Sequence, residues 1–318
     1  MHILVTGGAG FLGSNLCKRL LSQGHSIECV DNLLTGRRSN IAEFESDARF
    51  CFIEHDITAG YKPMHKPDQI YNLACPASPR WYQATPIATT LTNVVGMRNM
   101  LELARVHDAT ILQASTSEVY GDPEIHPQPE SYHGNVNPIG IRSCYDEGKR
   151  VAESLCFDYL RTHATRIKVA RIFNTYGPRM AQDDGRAISS FIVAALRHNP
   201  LVLYGNGNQT RSFCYVDDLI DALVLLMNSS RETTGPVNLG SQYEYAIRDV
   251  AELIRELTRS SSVLEYQPIP EDDPRIRKPD ISRARTELGW YPTTSLETGL
   301  EKTIKYFHTM LDESENCE

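Results

Sequence analysis

The feature that most constrains this chain is a glycine-rich turn close to its start. The apolar run 2–6 leads into a turn with the spacing G-x-x-G-x-x-G, and an amphipathic stretch follows at 12–23. Glycines there allow tight backbone angles, close approach of a pyrophosphate and close packing of helix on strand. Because the turn joins a strand to a helix, it predicts a dinucleotide site rather than a purely structural turn. The residues predicted to contact the cofactor here are Gly7, Gly10, Phe11, Leu12 and Gly13.

Strand and helix patterns alternate over the first 175 residues. Short runs rich in Val, Ile and Leu occupy 2–6, 26–31, 50–54, 69–74, 109–115 and 166–173. Amphipathic stretches separate several of them, among them 12–23, 93–107 and 146–163. Such alternation predicts an α/β fold, with a doubly wound parallel sheet covered by helices on both faces.

The pattern changes after Pro178. Helical runs are predicted at 187–198, from Asp217 onward, at 246–258 and at 295–311, with a short strand at 236–239. We therefore predict a dinucleotide-binding domain over 1–178, to which 212–242 returns. A smaller mixed α/β lobe, formed by 179–211 and 243–318, would bind the substrate.

Composition excludes several classes of partner. The formal net charge of −8 argues against nucleic acid, whose phosphates an acidic surface repels. Eight cysteines without a C-x-x-C pair predict free thiols in a reducing compartment, and neither disulfides nor a metal site. The apolar runs are too short to span a membrane, and the first strand begins at once, with no signal peptide. We therefore expect a cytoplasmic protein.

Polar residues that follow the strands predict how the dinucleotide is recognised. Asp31 ends the second strand, where a carboxylate would bind the ribose 2′-OH and repel a 2′-phosphate. Arg37 and Arg38 could instead accept that phosphate, so NAD is predicted and NADP stays open. Asp56 would accept from the adenine amino group or else cap a loop. The other predicted cofactor contacts at this edge are Asn32, Thr35, Gly36, Ile57, Leu73, Ala74 and Thr175.

Three residues predict oxidation chemistry. Tyr145 and Lys149 are spaced i and i+4, so they share one face of a helix. A phenol with a pKa near ~10 is a poor base, but an adjacent ammonium and a positive nicotinamide ring would lower that pKa. Thr116, at the end of a strand, could then share the proton of a substrate hydroxyl.

Together these motifs resemble the extended short-chain dehydrogenase/reductase family, whose members mostly modify nucleotide sugars. Within that family, longer stretches resemble the decarboxylases that act on UDP-glucuronate. The resemblance covers nearly the whole chain. The stretches that carry it are 74–79, 115–122, 135–140, 144–150, 171–178, 184–186, 209–213 and 272–281.

The resemblance implies a reaction in which NAD is regenerated in every cycle. Tyr145 would take the proton of the sugar 4-OH while NAD⁺ takes hydride from C4. The 4-ketone is β to the C6 carboxylate, so CO₂ can leave, and the resulting enolate would be stabilised by Tyr145 and Lys149. C5 is then protonated and NADH returns hydride to C4, which yields UDP-xylose.

The resemblance also assigns roles around the sugar and the nucleotide. Ser117 and Glu118 would position the ring or assist proton transfer. Arg277 would orient the substrate or a water near C5, or else form a surface ion pair with Asp272 or Asp273. The residues expected on the pyrophosphate and uridine side are Asn174, Arg186 and Arg211, although each could form a structural ion pair instead.

Some positions leave other functions open. Leu91 stands where these decarboxylases carry a Lys, and Ala181 where a His is common, so a nucleotide-sugar 4-epimerase or 4,6-dehydratase is the near alternative. Ser117 replaces the Asp of the dehydratases, which disfavours dehydration. A non-catalytic, NAD-sensing regulator is disfavoured because Tyr145 and Lys149 are both present.

The resemblance finally implies a homodimer. Members of the family usually dimerise through two helices, which correspond here to 93–107 and 146–163. The apolar residues that could form the interface, or could pack within one chain, are Met97, Met100, Leu101, Leu155 and Tyr159.

Overall fold

A seven-stranded sheet forms the centre of the molecule in the computed structural model, which describes residues 1–268 and 276–315. Its strand order is β11-β6-β5-β4-β1-β2-β3, and every pairing in it is parallel. The doubly wound sheet predicted from the sequence is therefore confirmed. Its strands are β1 (His2–Thr6), β2 (Ser26–Asp31), β3 (Phe50–Glu54), β4 (Gln69–Asn72), β5 (Thr110–Thr116), β6 (Ile167–Ile172) and β11 (Val237–Leu239).

Ten helices accompany the strands in the described part of the chain. They are α1 (Phe11–Ser22), α2 (Pro79–Ala84), α3 (Pro86–Leu91), α4 (Met97–His107), α5 (Ser143–His163), α6 (Ala187–Leu196), α7 (Val216–Met227), α8 (Ile247–Leu257), α9 (Ser282–Leu288) and α10 (Leu296–Glu315). Short 3₁₀ turns occupy Arg38–Asn40, Ala42–Phe44 and Ser117–Tyr120, and a π-helical turn occupies Thr92–Gly96.

The order of the strands reverses between β1 and β4. The chain runs outward from β1 through β2 to β3 at the edge, then crosses back to β4 on the other side of β1. Where strand order reverses, the loops after neighbouring strands diverge and leave a crevice at their carboxyl ends. That crevice is where the site lies.

Alternating side chains of the strands bury two apolar cores, one on each face of the sheet. Ile3 and Val5 face a core that also contains Leu16 of α1, and Leu4 faces a second core with Met100 of α4. Each is at most 1% exposed. Burying such a side chain stabilises the fold by about 1.5–3 kcal/mol, so these positions fix which face each helix covers.

The C-terminal half adds three small two-stranded sheets. Their strands are β7 (Thr175–Tyr176) with β10 (Cys214–Tyr215), β9 (Thr210–Ser212) with β12 (Glu244–Ala246), and β8 (Leu201–Tyr204) with β13 (Leu264–Gln267). Helices α6 and α8 pack against each other beside β8. Residues 216–239 pass back to the large sheet, where β11 pairs with β6.

No helix within residues 1–268 and 276–315 is long and apolar enough to cross a membrane. Across the same residues, no group of three or more His, Cys, Asp or Glu side chains could hold a metal ion.

Candidate active site

A cleft of about 850 Å³ opens at the carboxyl ends of the strands. It runs from the glycine turn after β1, past the ends of β4 and β5, to β9 and the stretch around Arg277. The structure brings every predicted site residue to its lining except Gly36.

The glycine turn is shaped to hold a pyrophosphate. Gly7 has φ +68°, and a Cβ there would lie 2.8 Å from the backbone of Leu73 and Ala74. A Cβ on Gly13 would overlap the carbonyl oxygen of Gly7, and one on Gly10 would approach that oxygen to 3.2 Å. Helix α1 begins at Phe11, so its free N–H groups face the cleft. The turn therefore fits a dinucleotide whose phosphates rest on backbone.

Asp31 is buried at the end of β2 beside this turn. Its Oδ2 accepts from Ala9 N at 3.0 Å and its Oδ1 from Leu33 N at 2.9 Å. Burial raises the pKa of Asp31, although these backbone bonds oppose the rise. A carboxylate has about four acceptor sites, so it can still bind a ribose hydroxyl. Gly36 was predicted to contact the cofactor, but it lies against Asp31, where a Cβ would be 2.8 Å from both carboxylate oxygens.

The two arginines that could accept a 2′-phosphate are both paired with acids. Arg37 Nη2 lies 2.5 Å from Asp183 Oδ1, and Arg38 Nε lies 2.8 Å from Glu45 Oε1. With Asp31 beside them, this arrangement favours NAD over NADP.

The structure shows one of the two roles that the sequence left open for Asp56, the capping of a loop. It lines the cleft. It also caps its own turn, because its Oδ1 accepts from Thr58 N at 2.8 Å and Oγ1 at 2.7 Å. Its Oδ2 accepts from Asn32 Nδ2 at 3.0 Å. The capping leaves acceptor capacity for an adenine amino group.

Tyr145, Lys149 and Thr116 meet at the centre of the cleft. Lys149 Nζ donates to Ala114 O at 2.9 Å and lies 5.7 Å from the Tyr145 ring centroid. The Thr116 hydroxyl is hydrogen-bonded to the Tyr145 side chain. The ring of Tyr82 stacks on the ring of Tyr145, with the two centroids 5.0 Å apart. The phenol is thus fixed in position by groups from β5, α2 and α5.

The predicted fall in the pKa of Tyr145 is wrong for the protein's own groups. Burial raises the pKa of the phenol, the Thr116 hydrogen bond lowers it, and the nearby Glu118 carboxylate raises it further. Burial also lowers the pKa of Lys149. Burial is therefore the main influence on the phenol, and a positive charge brought next to it, such as an oxidised nicotinamide ring, would lower its pKa.

Glu118 forms the centre of a buried ionic cluster. Arg277 Nη1 and Nη2 lie 2.7 Å from its Oε1 and Oε2, and Arg142 Nη2 lies 3.0 Å from Oε1. Burial raises the pKa of Glu118, but the two guanidinium groups outweigh it and hold that pKa below its usual value. Asp272 and Asp273, the alternative partners considered for Arg277, lie outside the described residues.

Sequence reasoning missed two members of this cluster. Arg142 had no local motif to mark it, because its partner Glu118 is distant in the chain. Asp146 lies inside the Tyr-x-x-x-Lys motif, but no role was predicted for it. It is buried, its Oδ1 has no hydrogen-bond partner among the described residues, and burial together with Glu118 raises its pKa to about 8.

The residues predicted to hold the nucleotide line the far part of the cleft. Arg186 forms a two-point ion pair with Asp184, with Nη2 2.7 Å from Oδ2, and its guanidinium lies 5.7 Å from the Phe11 ring centroid. Arg211 lies buried in β9 and donates to Thr210 O at 2.9 Å. Asn174 follows β6, and its carbonyl accepts from Cys214 N.

The two positions that depart from the decarboxylase pattern are placed differently. Leu91 is 46% exposed on α3 and is not among the described residues that line the cleft. Ala181 does line it. Only Ala181 can therefore alter the shape of the cleft directly.

Comparisons with known proteins agree with this geometry. The family model described as the NAD dependent epimerase/dehydratase family matches residues 3–240. UDP-glucuronic acid decarboxylase 1 of Danio rerio is 50% identical over 316 residues, which cover 99% of this chain and 74% of that protein. UDP-glucuronic acid decarboxylase 3 of Arabidopsis thaliana is 50% identical over 317 residues, covering 99% of this chain and 92% of that protein.

Solved structures show the same fold. The UDP-glucuronic acid 4-epimerase from Bacillus cereus, in complex with UDP-glucuronic acid and NAD, superimposes with a TM-score of 0.87 and 30% identity, covering 98% of this chain and 100% of that chain. A UDP-glucose 4-epimerase from Thermotoga maritima, with UDP-glucose, superimposes with a TM-score of 0.89 and 28% identity, over the same shares of the two chains.

Proposed function

The chain belongs to the NAD dependent epimerase/dehydratase family, and we propose that it converts UDP-glucuronate to UDP-xylose by NAD-dependent decarboxylation. The observation that carries this proposal is the juxtaposition in one cleft of the Tyr145 group and the Glu118–Arg277 ion pair. Tyr145, with Lys149 and Thr116, can take the proton of a sugar hydroxyl while that hydroxyl is oxidised. The Glu118–Arg277 ion pair presents fixed charge where a sugar acid would react.

Tyr145 removes the proton of the sugar 4-hydroxyl. Thr116, hydrogen-bonded to Tyr145, holds the phenol and the substrate hydroxyl together. Lys149 stabilises the phenolate and later the enolate oxygen, since its ammonium is held near the ring by Ala114 O. When bound, NAD supplies the hydride acceptor at C4 and returns the hydride at the end of the cycle.

The ionic cluster acts on the acid end of the sugar. Arg277 and Arg142 hold Glu118 as a carboxylate, so Glu118 accepts hydrogen bonds and does not donate a proton. In that state it orients a water or the sugar ring near C5. Ser117 lies beside it in the same 3₁₀ turn, where the dehydratases carry an acid. The cluster therefore suits loss of CO₂ and protonation of C5 better than loss of water.

Asn174, Arg186 and Arg211 hold the UDP moiety in this proposal. The two arginines are buried or half-buried at the lining, where a guanidinium can bind a phosphate through two hydrogen bonds. Residues 1–178 with 212–242 would bind NAD, and 179–211 with 243–318 would bind the nucleotide sugar. The pairing of β11 with β6 supports this division.

A 4-epimerase acting on the same substrate is the second candidate. The solved epimerase complex with UDP-glucuronic acid and NAD supports it, because the fold and the first oxidation step would be shared. The two functions differ in whether the 4-keto acid keeps its carboxylate before hydride returns.

The test is to incubate the purified chain with UDP-glucuronate and NAD⁺ and to follow the products by NMR and mass spectrometry. The proposal expects CO₂ and a UDP-pentose with the proton couplings of xylose. UDP-galacturonate with no loss of CO₂ would establish the epimerase instead. Unchanged substrate would contradict both.

We also propose a cytoplasmic homodimer. The seven cysteines of the described chain are free, which suits a reducing compartment. Met97, Met100 and Leu101 are fully buried within one chain, so they cannot form an interface. The exposed apolar residues of α3 and α5 are better candidates: Ile87, Leu91 and Val151. Light scattering with size-exclusion chromatography tests this, and a monomer at micromolar concentration would contradict it.

A further inference from the structure

Three segments that border the cleft meet at one carboxylate. Asp183 lies between β7 and α6, Arg37 follows β2, and Arg80 lies in α2 after β4. Arg37 Nη2 is 2.5 Å from Asp183 Oδ1, and Arg80 Nη1 is 3.6 Å from Asp183 Oδ2. Arg80 Nη1 also donates to the Asp183 carbonyl oxygen at 3.2 Å. We call these three residues the Asp183 clasp.

The order of the strands determines what the clasp crosses. Strand β1 lies between β2 and β4, so its glycine turn lies between the two segments that carry the arginines. The backbone N–H of Arg37 donates to Ala9 O, inside that turn, at 3.0 Å. The clasp therefore joins the two rims of the cleft across the turn that fits the pyrophosphate.

The segment that carries Asp183 is anchored on the cofactor side. Asn15 Nδ2 of α1 donates to Pro178 O at 3.1 Å, and Arg179 Nη1 donates to Asn40 O at 2.7 Å. Arg179 is also ion-paired with Glu43. Because this segment is fixed where it leaves β7, the position of Asp183 beside the two arginines does not depend on a freely moving loop.

We infer that Asp183 is a positioning residue that acts through Arg37 and Arg80 to retain the bound dinucleotide from one turnover to the next. The inference rests on the cofactor part of the proposed function, in which NAD is oxidant and reductant within one cycle. A cofactor that leaves as NADH would strand the sugar as a 4-ketone, so slow release serves that reaction.

The expected size of the effect follows from exposure. The side chains of Arg37 and Asp183 are 36% and 37% exposed, and that of Arg80 is 59% exposed. Pairs of this kind contribute up to about 1 kcal/mol each and are screened by salt, which corresponds to roughly a fivefold change in release rate per pair. The effect should therefore shrink as ionic strength rises.

The test measures NAD release without any sugar. The full-length chain is loaded with NAD⁺, and dissociation is followed after dilution into a NAD-degrading enzyme. Asp183→Asn should release NAD faster at low salt, by up to about fivefold for each of the two pairs that it breaks, and should approach the unchanged chain at high salt. Asp183→Glu, which keeps the charge, should restore most of the retention. Arg80→Gln should give a smaller acceleration, and it should add little on top of Asp183→Asn.

Asp158→Asn is the matched control, because Asp158 forms a 2.5 Å pair with Arg161 on the exposed surface of α5. It should leave release unchanged. An unchanged release rate in Asp183→Asn and in Arg80→Gln, with both folded by thermal melting, would overturn the inference. If Asp183→Asn does not fold, Arg80→Gln alone decides. A failure of decarboxylation would show as a lack of UDP-xylose and would leave these release rates intact.

Discussion

Arg277 and Glu118 face each other in a buried two-point ion pair, with both guanidinium Nη atoms 2.7 Å from the carboxylate oxygens. They are 159 residues apart in the chain, and a second guanidinium, that of Arg142, completes the cluster. The pair connects the C-terminal region to the end of β5, next to Thr116. It therefore joins the segment after β11, the last strand of the large sheet in chain order, to the centre of the cleft.

Breaking this pair should cost stability and activity, and the two losses can be separated. Arg277→Met leaves the Glu118 charge buried with only Arg142, so we expect destabilisation by up to about 3–5 kcal/mol. Adding Glu118→Gln should recover part of the stability, because no uncompensated carboxylate remains, but should not recover turnover. Denaturant unfolding and product assays measure the two effects. Recovery of turnover in the double variant would contradict the assigned role.

Tyr145→Phe should lower turnover by about 10²–10⁴-fold, since it removes the group that takes the proton of the 4-hydroxyl. NAD binding should change little, because the dinucleotide is held mainly by the glycine turn and Asp31. Steady-state kinetics and NAD titration check the two statements. Tyr243→Phe, at a side chain that is 71% exposed, is the control. Full activity in Tyr145→Phe would contradict the proposed mechanism.

Gly13→Ala should weaken NAD binding by roughly 5- to 150-fold. A Cβ at this position overlaps the Gly7 carbonyl oxygen, so the turn must open, at a cost of about 1–3 kcal/mol. Gly60→Ala is the control, because a Cβ there meets no atom within 4 Å. Calorimetric titration with NAD⁺ and thermal melting measure both variants. Equal NAD affinity in the two would show that the turn does not hold the pyrophosphate.

Asp146 should make stability depend on pH in a defined direction. Its pKa is raised from 3.8 to about 8, by burial first and by the Glu118 charge second, while Arg142 and Arg277 lower it. The folded chain therefore binds a proton that the unfolded chain releases. The stability this proton contributes is complete below about pH 4 and is lost as pH rises through about 8.

Asp146→Asn mimics the protonated carboxyl, so its stability should fall less than that of the unchanged chain between pH 6 and pH 9. Denaturant unfolding at a series of pH values measures this. Asp158→Asn, on the exposed face of the same helix, should follow the unchanged chain. Parallel curves for Asp146→Asn and the unchanged chain would show that Asp146 is already ionised at neutral pH.

Much of the fold could be predicted because its signals are local. The runs 2–6, 26–31 and 50–54 coincide with β1, β2 and β3, since buried parallel strands read as short apolar runs. The resemblance to the extended short-chain dehydrogenase/reductase family is confirmed as well. Helices α2 and α3 were missed, although Pro79 and Pro86 stand at their first positions.

The parts of the site that could not be predicted depend on contacts between distant segments. Arg142 and Arg277 pair with Glu118 because their charges are opposite, and no residue spacing in the sequence predicts these contacts. The rise that burial causes in the pKa of Tyr145 could not be predicted either, because charge partners can be read from a motif but the depth of burial cannot. No local pattern predicted a role for Asp183, since its partners Arg37 and Arg80 lie more than a hundred residues earlier.

The most direct test of the central claim is the fate of the C4 hydrogen. UDP-glucuronate carrying deuterium at C4 should give UDP-xylose that retains deuterium at C4, with no added NAD consumed, because the hydride leaves and returns within one cleft. NMR of the product decides this. A product with hydrogen at C4, or with deuterium found in released NADH, would contradict the account.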